Sequence, residues 1–335
     1  MTGTVAVAYL ARSREGEASF RRFAQSYSQH AAGVAHDLVI IYKAFDTAGA
    51  RDAARAVFSH VPHIAIDLED GDFDIGSYGK AAAALAHQHI VCLNTHAEVA
   101  CENWLRNLIT PLLSQETSLV GASASYESIL DSTRVIESIG WRWRERRQTI
   151  DDPEFATRYA PFITRDKGMH KRTPVYAAWR AVRRHLFKRG VPASAFSAVA
   201  RCHPKFRWLT QFPHWPNPHI RTNGFAIRRK QLASIASRSF KAKEDVLIFE
   251  SGKRGFSATM AKHGELVLVD RNGRPFKADE WLASNTFRLG SQSGLNIKDN
   301  QTRGFDDMAP SLKETYYRLT WGGPHLLLEE ERGRR

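Results

Sequence analysis

Five stretches of the chain bring together side chains able to do chemistry. The first is LEDGDFDIGSYGKAA, residues 68–82. With Asp67 just upstream, it sets Glu69, Asp70, Asp72 and Asp74 ahead of a helix start that holds Gly76, Ser77, Gly79 and Lys80. Free amides at a helix N-terminus receive a phosphate or a hydroxyl, and small residues let a ligand approach the backbone. Capping by Asp74 or Ser77 is the competing reading, but it accounts for one acid and leaves the others unexplained. The second stretch is VCLNTHAEV, residues 91–99, where an apolar strand delivers Asn94, Thr95 and His96. A neutral His96 imidazole could ligate a divalent ion and the Asn94 carbonyl could join it; a simple helix cap fits equally well.

The third stretch, FKAKEDVLIFESGKRG (residues 240–255), pairs Glu244 with Asp245. Either carboxylate could take a proton from a hydroxyl nucleophile, and two acids also suit the start of a helix. Spacing does not choose between these. In PNPHIRTNGFAIRR (residues 216–229), strand periodicity puts His219, Arg221 and Asn223 on one face, as a row for a polar acceptor or as the wet side of an edge strand. The fifth, NIKDNQTRGF (residues 296–305), offers Asp299, Asn300 and Arg303 as a loop over the site. His203, His214 and His219 lack a zinc spacing.

These side chains must be held by a scaffold, and the first 125 residues supply its pattern. Apolar runs of about six residues at Val5–Leu10, His36–Phe45, His63–Leu68, His89–Asn94 and Ser118–Ala124 read as strands. Between them, 19–32, 47–60, 77–87 and 103–113 read as helices. Such alternation predicts βαβ units and a mainly parallel α/β sheet, whose ligands lie at the carboxyl ends of the strands. Ile220–Ile227 and Leu266–Asp270 read as further strands, and Val175–Lys188 as a basic helix. The first strand-to-helix turn, LARSREGEAS, has one glycine and is not a dinucleotide-binding GxGxxG. No GxxxxGK phosphate loop, GxSxG elbow or HExxH appears.

The chain has 335 residues and a net charge of +13. Segment 141–230 holds 21 Lys and Arg against 5 Asp and Glu, a net of +16, and five of the eight tryptophans. The rest is slightly acidic. That asymmetry suggests a polyanionic partner or an anionic membrane surface. No apolar run is long enough to span a bilayer, and three cysteines without a CxxC pair fit a reducing compartment. The opening MTGTVAVAYLARSR lacks the features of a signal peptide. The expected location is therefore the cytoplasm, peripheral at the inner face of the membrane.

The pieces VAVAYLARS, DIGSYGKAAA, CLNTHAEV, SLVGASAS, RTNGFAIRR and KEDVLIFESGKRG, in this order, resemble GT-A-fold glycosyltransferases, specifically the family-2-like enzymes of bacterial polysaccharide assembly. The resemblance implies a Rossmann-like, mainly parallel sheet with a donor half at 1–135 and a basic Trp-rich insert at 136–215. An acceptor half at 216–310 and a C-terminal extension at 311–335 complete it. It implies a nucleotide-diphosphate sugar as donor, bound by Ala11, Arg12, Asp70, Asp72, Asp74, Gly76, Ser77, Lys80, Asn94 and Thr95. The acceptor, a glycan or a lipid-linked molecule, would meet His219, Arg221 and Asn223, with Asp245 and then Glu244 as general base in an inverting transfer. The family's DxD motif, which holds Mn2+ or Mg2+, aligns with Asn94–Thr95–His96; both acids are replaced, leaving His96 as the metal candidate. A catalytically silent sugar-binding protein is one alternative. A nucleic-acid-binding protein is another, less favoured because no RNA- or DNA-binding module is visible.

Overall fold

The computed structural model describes residues 4–145, 153–159, 161–162, 196, 200–201 and 206–333. In chain order the first elements are β1 (Val5–Arg12), α1 (Gly16–Gln29), β2 (Asp37–Lys43), α2 (Ala48–Val57), β3 (Ile64–Leu68), α3 (Phe73–Ala84) and β4 (His89–Leu93). Next come β5 (Glu98–Val99), α4 (Trp104–Leu112), β6 (Thr117–Gly121), β7 (Ala124–Ser125), α5 (Ile129–Glu145) and α6 (Pro153–Tyr159). After these follow β8 (His219–Ile220), β9 (Gly224–Arg228), α7 (Arg229–Ala233), α8 (Lys243–Ser251), α9 (Phe256–Met260), β10 (Glu265–Val269) and β11 (Pro275–Phe276). The last are β12 (Ile297–Lys298), α10 (Asn300–Asp306), α11 (Pro310–Tyr317) and α12 (His325–Gly333).

Two compact units result. One comprises Met1–Ser125 and Pro218–Asp306; the other comprises Tyr126–Asn217 and Asp307–Arg335. The first is an α/β unit with an eight-stranded sheet in the order β11-β10-β6-β9-β4-β1-β2-β3. β1 runs parallel to β2 and β4, β2 to β3, and β6 to β10. β9 is inserted antiparallel between β4 and β6, and the edge strand β11 pairs antiparallel with β10. The sheet is mainly parallel and flanked by helices, as the alternating pattern predicts.

The apolar runs explain the sheet's centre. Every residue from Val5 to Ala11 is buried, as is Leu38–Lys43, so these strands are covered on both faces. β3 is an edge strand, and Ile64 and Ala65 are exposed. α1 turns Phe20, Phe23 and Ala24 inward, with the Phe23 ring stacked on Tyr9 at 3.8 Å between centroids. Thr47 starts α2 by accepting the Ala50 N–H at 3.2 Å.

Ile220–Ile227 is not one strand. β8 pairs with β7, the chain breaks out over residues 221–223, and β9 then enters the main sheet. At the break the Asn223 side chain bonds Ser123 and Asp299.

In the second unit, Val135, Ile136, Ile139, Tyr159, Leu319, Leu327 and Leu328 form one apolar cluster. Arg158 is buried beside them and donates to Glu330 at 3.0 Å. The basic helix read over Val175–Lys188 lies outside the described residues, as does most of the basic insert.

Candidate functional site

The chain leaves β1 for β2 and β3 on one side and later returns to β4 on the other. The carboxyl ends of β1 and β4 are thus a topological switch point, where sheets of this class bind ligands. Two turns meet there. The Tyr9 hydroxyl donates to the Thr95 carbonyl at 2.8 Å, tying β1 to the turn after β4. Burial pushes the Tyr9 phenol up from its ordinary value, so it stays a donor. Glu15, three residues past β1, lies 3.3 Å from His96 Nε2. The Asn94 side-chain carbonyl accepts the His96 N–H at 3.1 Å, and Thr95 is buried.

The stretch expected as a loop over the site is instead β12 followed by α10, and α10 brings Arg303 to this point. Arg303 Nη1 donates to Glu98 Oε2 at 2.9 Å and to the His96 carbonyl at 3.3 Å, and Nη2 reaches the same carbonyl at 3.4 Å. Arg22 lies 3.9 Å from the same Glu98. Burial and the Arg22 charge both pull Arg303 down from its ordinary value, with Glu98 and Asp299 opposing. Asn300 is exposed on α10.

A second cluster lies at the ends of β1, β2 and β3. Lys43 closes the apolar run LVIIYK and is wholly buried. Its ammonium donates to the carbonyls of Gly71 and Phe73, both at 2.6 Å, and so shapes the acidic loop. Burial pulls Lys43 down from its ordinary value, opposed first by Asp74. Arg12 lies 3.7 Å from Asp74 Oδ1. That oxygen is buried without a hydrogen-bond partner, while the Asp74 side chain as a whole is 40% exposed. Burial raises the Asp74 carboxyl above its ordinary value against the pull of Arg12 and Lys43. Ala11 is buried opposite Tyr42 within the sheet.

The remaining donor candidates have intramolecular partners. Asp72 accepts Lys80 Nζ at 2.7 Å and the Phe240 N–H at 3.0 Å, and these bonds hold its carboxyl below the ordinary value. Asp70 accepts the Gly71 N–H and is exposed. Ser77 returns its hydroxyl to the Phe73 carbonyl at 2.9 Å. A Cβ on Gly76 would stand 2.4 Å from the Asp72 Cβ, so its smallness serves close packing of the turn. Asp72 and Phe73 have φ of 55° and 50°, a left-handed conformation that side chains rarely adopt.

The expected acceptor row is an interior network. His219 and Asn223 are buried. Asn223 accepts the Ser123 hydroxyl at 2.7 Å and donates to Asp299 at 2.9 Å, and its carbonyl receives the Asn94 N–H at 3.1 Å. Arg221 lies 3.6 Å from Asp299, with its guanidinium 3.7 Å above the Phe287 ring. Glu250 accepts the Thr222 N–H at 2.7 Å. Asp245 accepts the N–H groups of Lys241 and Ala242, both at 2.9 Å, and so closes the start of α8. Glu244 beside it is exposed.

The structure therefore joins Arg12 to Asp74, and Asn94, Thr95 and His96 to Glu15, Glu98 and Arg303. It ties Asp72 and Lys80 to each other. Lys43 stands where the strand pattern directs attention, at the carboxyl end of an apolar strand. Glu15 and Glu98 carry no such signal and become site residues only through long-range contacts.

Among the described residues no three His, Cys, Asp or Glu side chains group to hold a metal ion. The nearest donors, His96 and Glu15, are paired with each other, and the Asn94 carbonyl is turned to backbone. With no third His, Cys, Asp or Glu beside them among the described residues, this donor set falls short of what a divalent ion takes.

No protein-family model matches the sequence, and no curated protein matches it. Solved structures match part of the chain. One is the crystal structure of GalNAc-T7 with UDP, GalNAc and Mn2+, at 17% identity and TM-score 0.29, covering 36% of this chain and 22% of that one. Another is glucosyl-3-phosphoglycerate synthase from Mycobacterium tuberculosis with Mn2+, UDP and phosphoglyceric acid, at 17% identity and TM-score 0.27, covering 36% and 42%. The match spans less than half the length of either.

Proposed function

We propose that this chain is a GT-A-type glycosyltransferase, moving a sugar from a nucleotide-diphosphate sugar to a hydroxyl acceptor in polysaccharide or glycolipid assembly. The observation that carries the reading is the polar cluster at the β1/β4 switch point, where Glu15 meets His96 and Arg303 bonds the His96 carbonyl. Sheets of this class receive phosphate-bearing ligands there. In this reading the base and ribose of the donor lie toward Arg12 and Asp74, and the diphosphate toward Thr95 and His96. Departure of the diphosphate builds negative charge that cationic groups must stabilise. An acid on α8, Asp245 first and Glu244 second, takes the proton of the attacking hydroxyl, which gives inversion at the anomeric carbon.

One observation favours a second reading, a silent sugar-binding protein: the Asp245 carboxylate is already committed to two backbone amides. A thermal-shift panel of nucleoside diphosphates and their sugar conjugates, with and without Mn2+, tests both, because a ligand that binds only the native state raises its melting temperature. One nucleotide class is expected to stabilise the protein, and slow hydrolysis of its sugar conjugate separates enzyme from binder. A panel without any shift would sink both readings.

A further inference from the structure

Three guanidinium groups gather around Glu15 and Glu98 at the switch point. Arg14 pairs with Glu15 at 2.9 Å, Glu15 with His96, Arg303 with Glu98, and Arg22 lies against the same Glu98. Three guanidinium groups therefore share these two carboxylates, with Asp299 as a further acid acting on Arg303. Arg303 is central to the group. It is held on the His96 carbonyl, its side chain is 27% exposed, and its three hydrogen bonds leave part of the guanidinium's donor set uncommitted. A planar guanidinium with spare N–H donors suits bidentate contact with phosphate oxygens. The donor set for a metal falls short at the same place.

We propose that Arg303 recognises the diphosphate of the donor, supplying from the chain itself the charge at the end of β4, so that binding needs no divalent ion. This rests on the glycosyltransferase reading and names the group that serves its leaving diphosphate. Glu98 has a defined part: it orients Arg303 and, with Arg22 on the same carboxylate, offsets part of the charge.

The test is calorimetric titration of the full chain with UDP, GDP, ADP, CDP and dTDP and the matching nucleosides, in EDTA and in Mn2+. The diphosphate that binds is expected to do so in EDTA with an affinity within about threefold of that in Mn2+, the small change expected when the chain's own cations neutralise the phosphates. Arg303→Met should weaken diphosphate binding about tenfold or more, as loss of a charge-assisted contact does, while nucleoside binding stays unchanged. Arg303→Lys should recover part of it. Glu98→Gln should act oppositely and tighten diphosphate binding about twofold to threefold, since one opposing charge is removed; a damaged fold would not tighten binding. Binding abolished by EDTA and restored by Mn2+ would overturn the proposal, as would an Arg303→Met protein with wild-type diphosphate affinity. Failure of every diphosphate to bind the wild type in both conditions would instead overturn the glycosyltransferase reading on which it rests.

Discussion

Asp245 shows how one carboxylate can have two explanations that a single substitution separates. Its Oδ2 closes the start of α8 by accepting two backbone amides. Asparagine keeps an acceptor oxygen for those amides but cannot take a proton from a hydroxyl. If Asp245 is the base, Asp245→Asn should lower kcat about 10²- to 10⁴-fold, leave donor affinity unchanged and leave the melting temperature close to that of the wild type. Asp245→Ala should in addition cost about 1 kcal/mol through the lost cap. Near-normal turnover in Asp245→Asn would assign the residue to the helix alone and pass the base role to Glu244. The neighbouring question at Asp74 is already answered in part by geometry. One oxygen is buried 3.7 Å from Arg12, so this acid is held by the cation at the end of β1 while its side chain remains partly open.

Elements were more legible than sites. LVIIY, HIVCL and the Ala-rich SYGKAAAA produced β2, β4 and α3 close to where periodicity puts them, because local pattern and burial agree there. β9 was read as part of a longer strand, because its antiparallel place between β4 and β6 and the break at Asn223 depend on partners far away in sequence. In the sequence the small residues of α3 suggest room for a ligand. Gly79 instead admits the residues after α7: an added Cβ would stand 2.9 Å from Ile235 Cγ1 and 3.1 Å from the Ala236 nitrogen. Gly49 in α2 has nothing within 4 Å of the same added atom. Alanine in a helix gains up to about 1 kcal/mol over glycine. At Gly79 that gain meets an overpacking cost of about 1–3 kcal/mol, and the Ala236 backbone cannot rotate away as a side chain could. Urea unfolding should therefore show Gly79→Ala destabilised by about 1–2 kcal/mol and Gly49→Ala unchanged or up to about 1 kcal/mol more stable. Equal effects at both positions would contradict close packing of α3 against the 235–236 turn.

At the scale of the whole molecule, the charge is divided between unlike parts. The net of +13 averages a strongly basic span, 141–230, over a remainder that is slightly acidic. Among the described residues no helix is long and apolar enough to cross a membrane. We propose that the basic insert, 136–215, meets an anionic surface and holds a lipid-linked acceptor there. Each Lys or Arg close to such a surface contributes about 1 kcal/mol, so a handful suffices for localisation without an inserted segment. The attraction is screened within about a Debye length, roughly 8–10 Å near physiological salt, which separates it from insertion of apolar groups. Co-sedimentation should therefore bring the protein down with phosphatidylglycerol-rich vesicles, not with phosphatidylcholine vesicles, and raised salt should release it. Neutralising Arg142, Arg144, Arg146 and Arg147 together to Gln should reduce the bound fraction at low salt without changing nucleotide binding, since none of them is among the residues proposed for the donor. Binding that ignores lipid charge and salt would remove the electrostatic account, and with it the reason to look for the acceptor at a membrane surface.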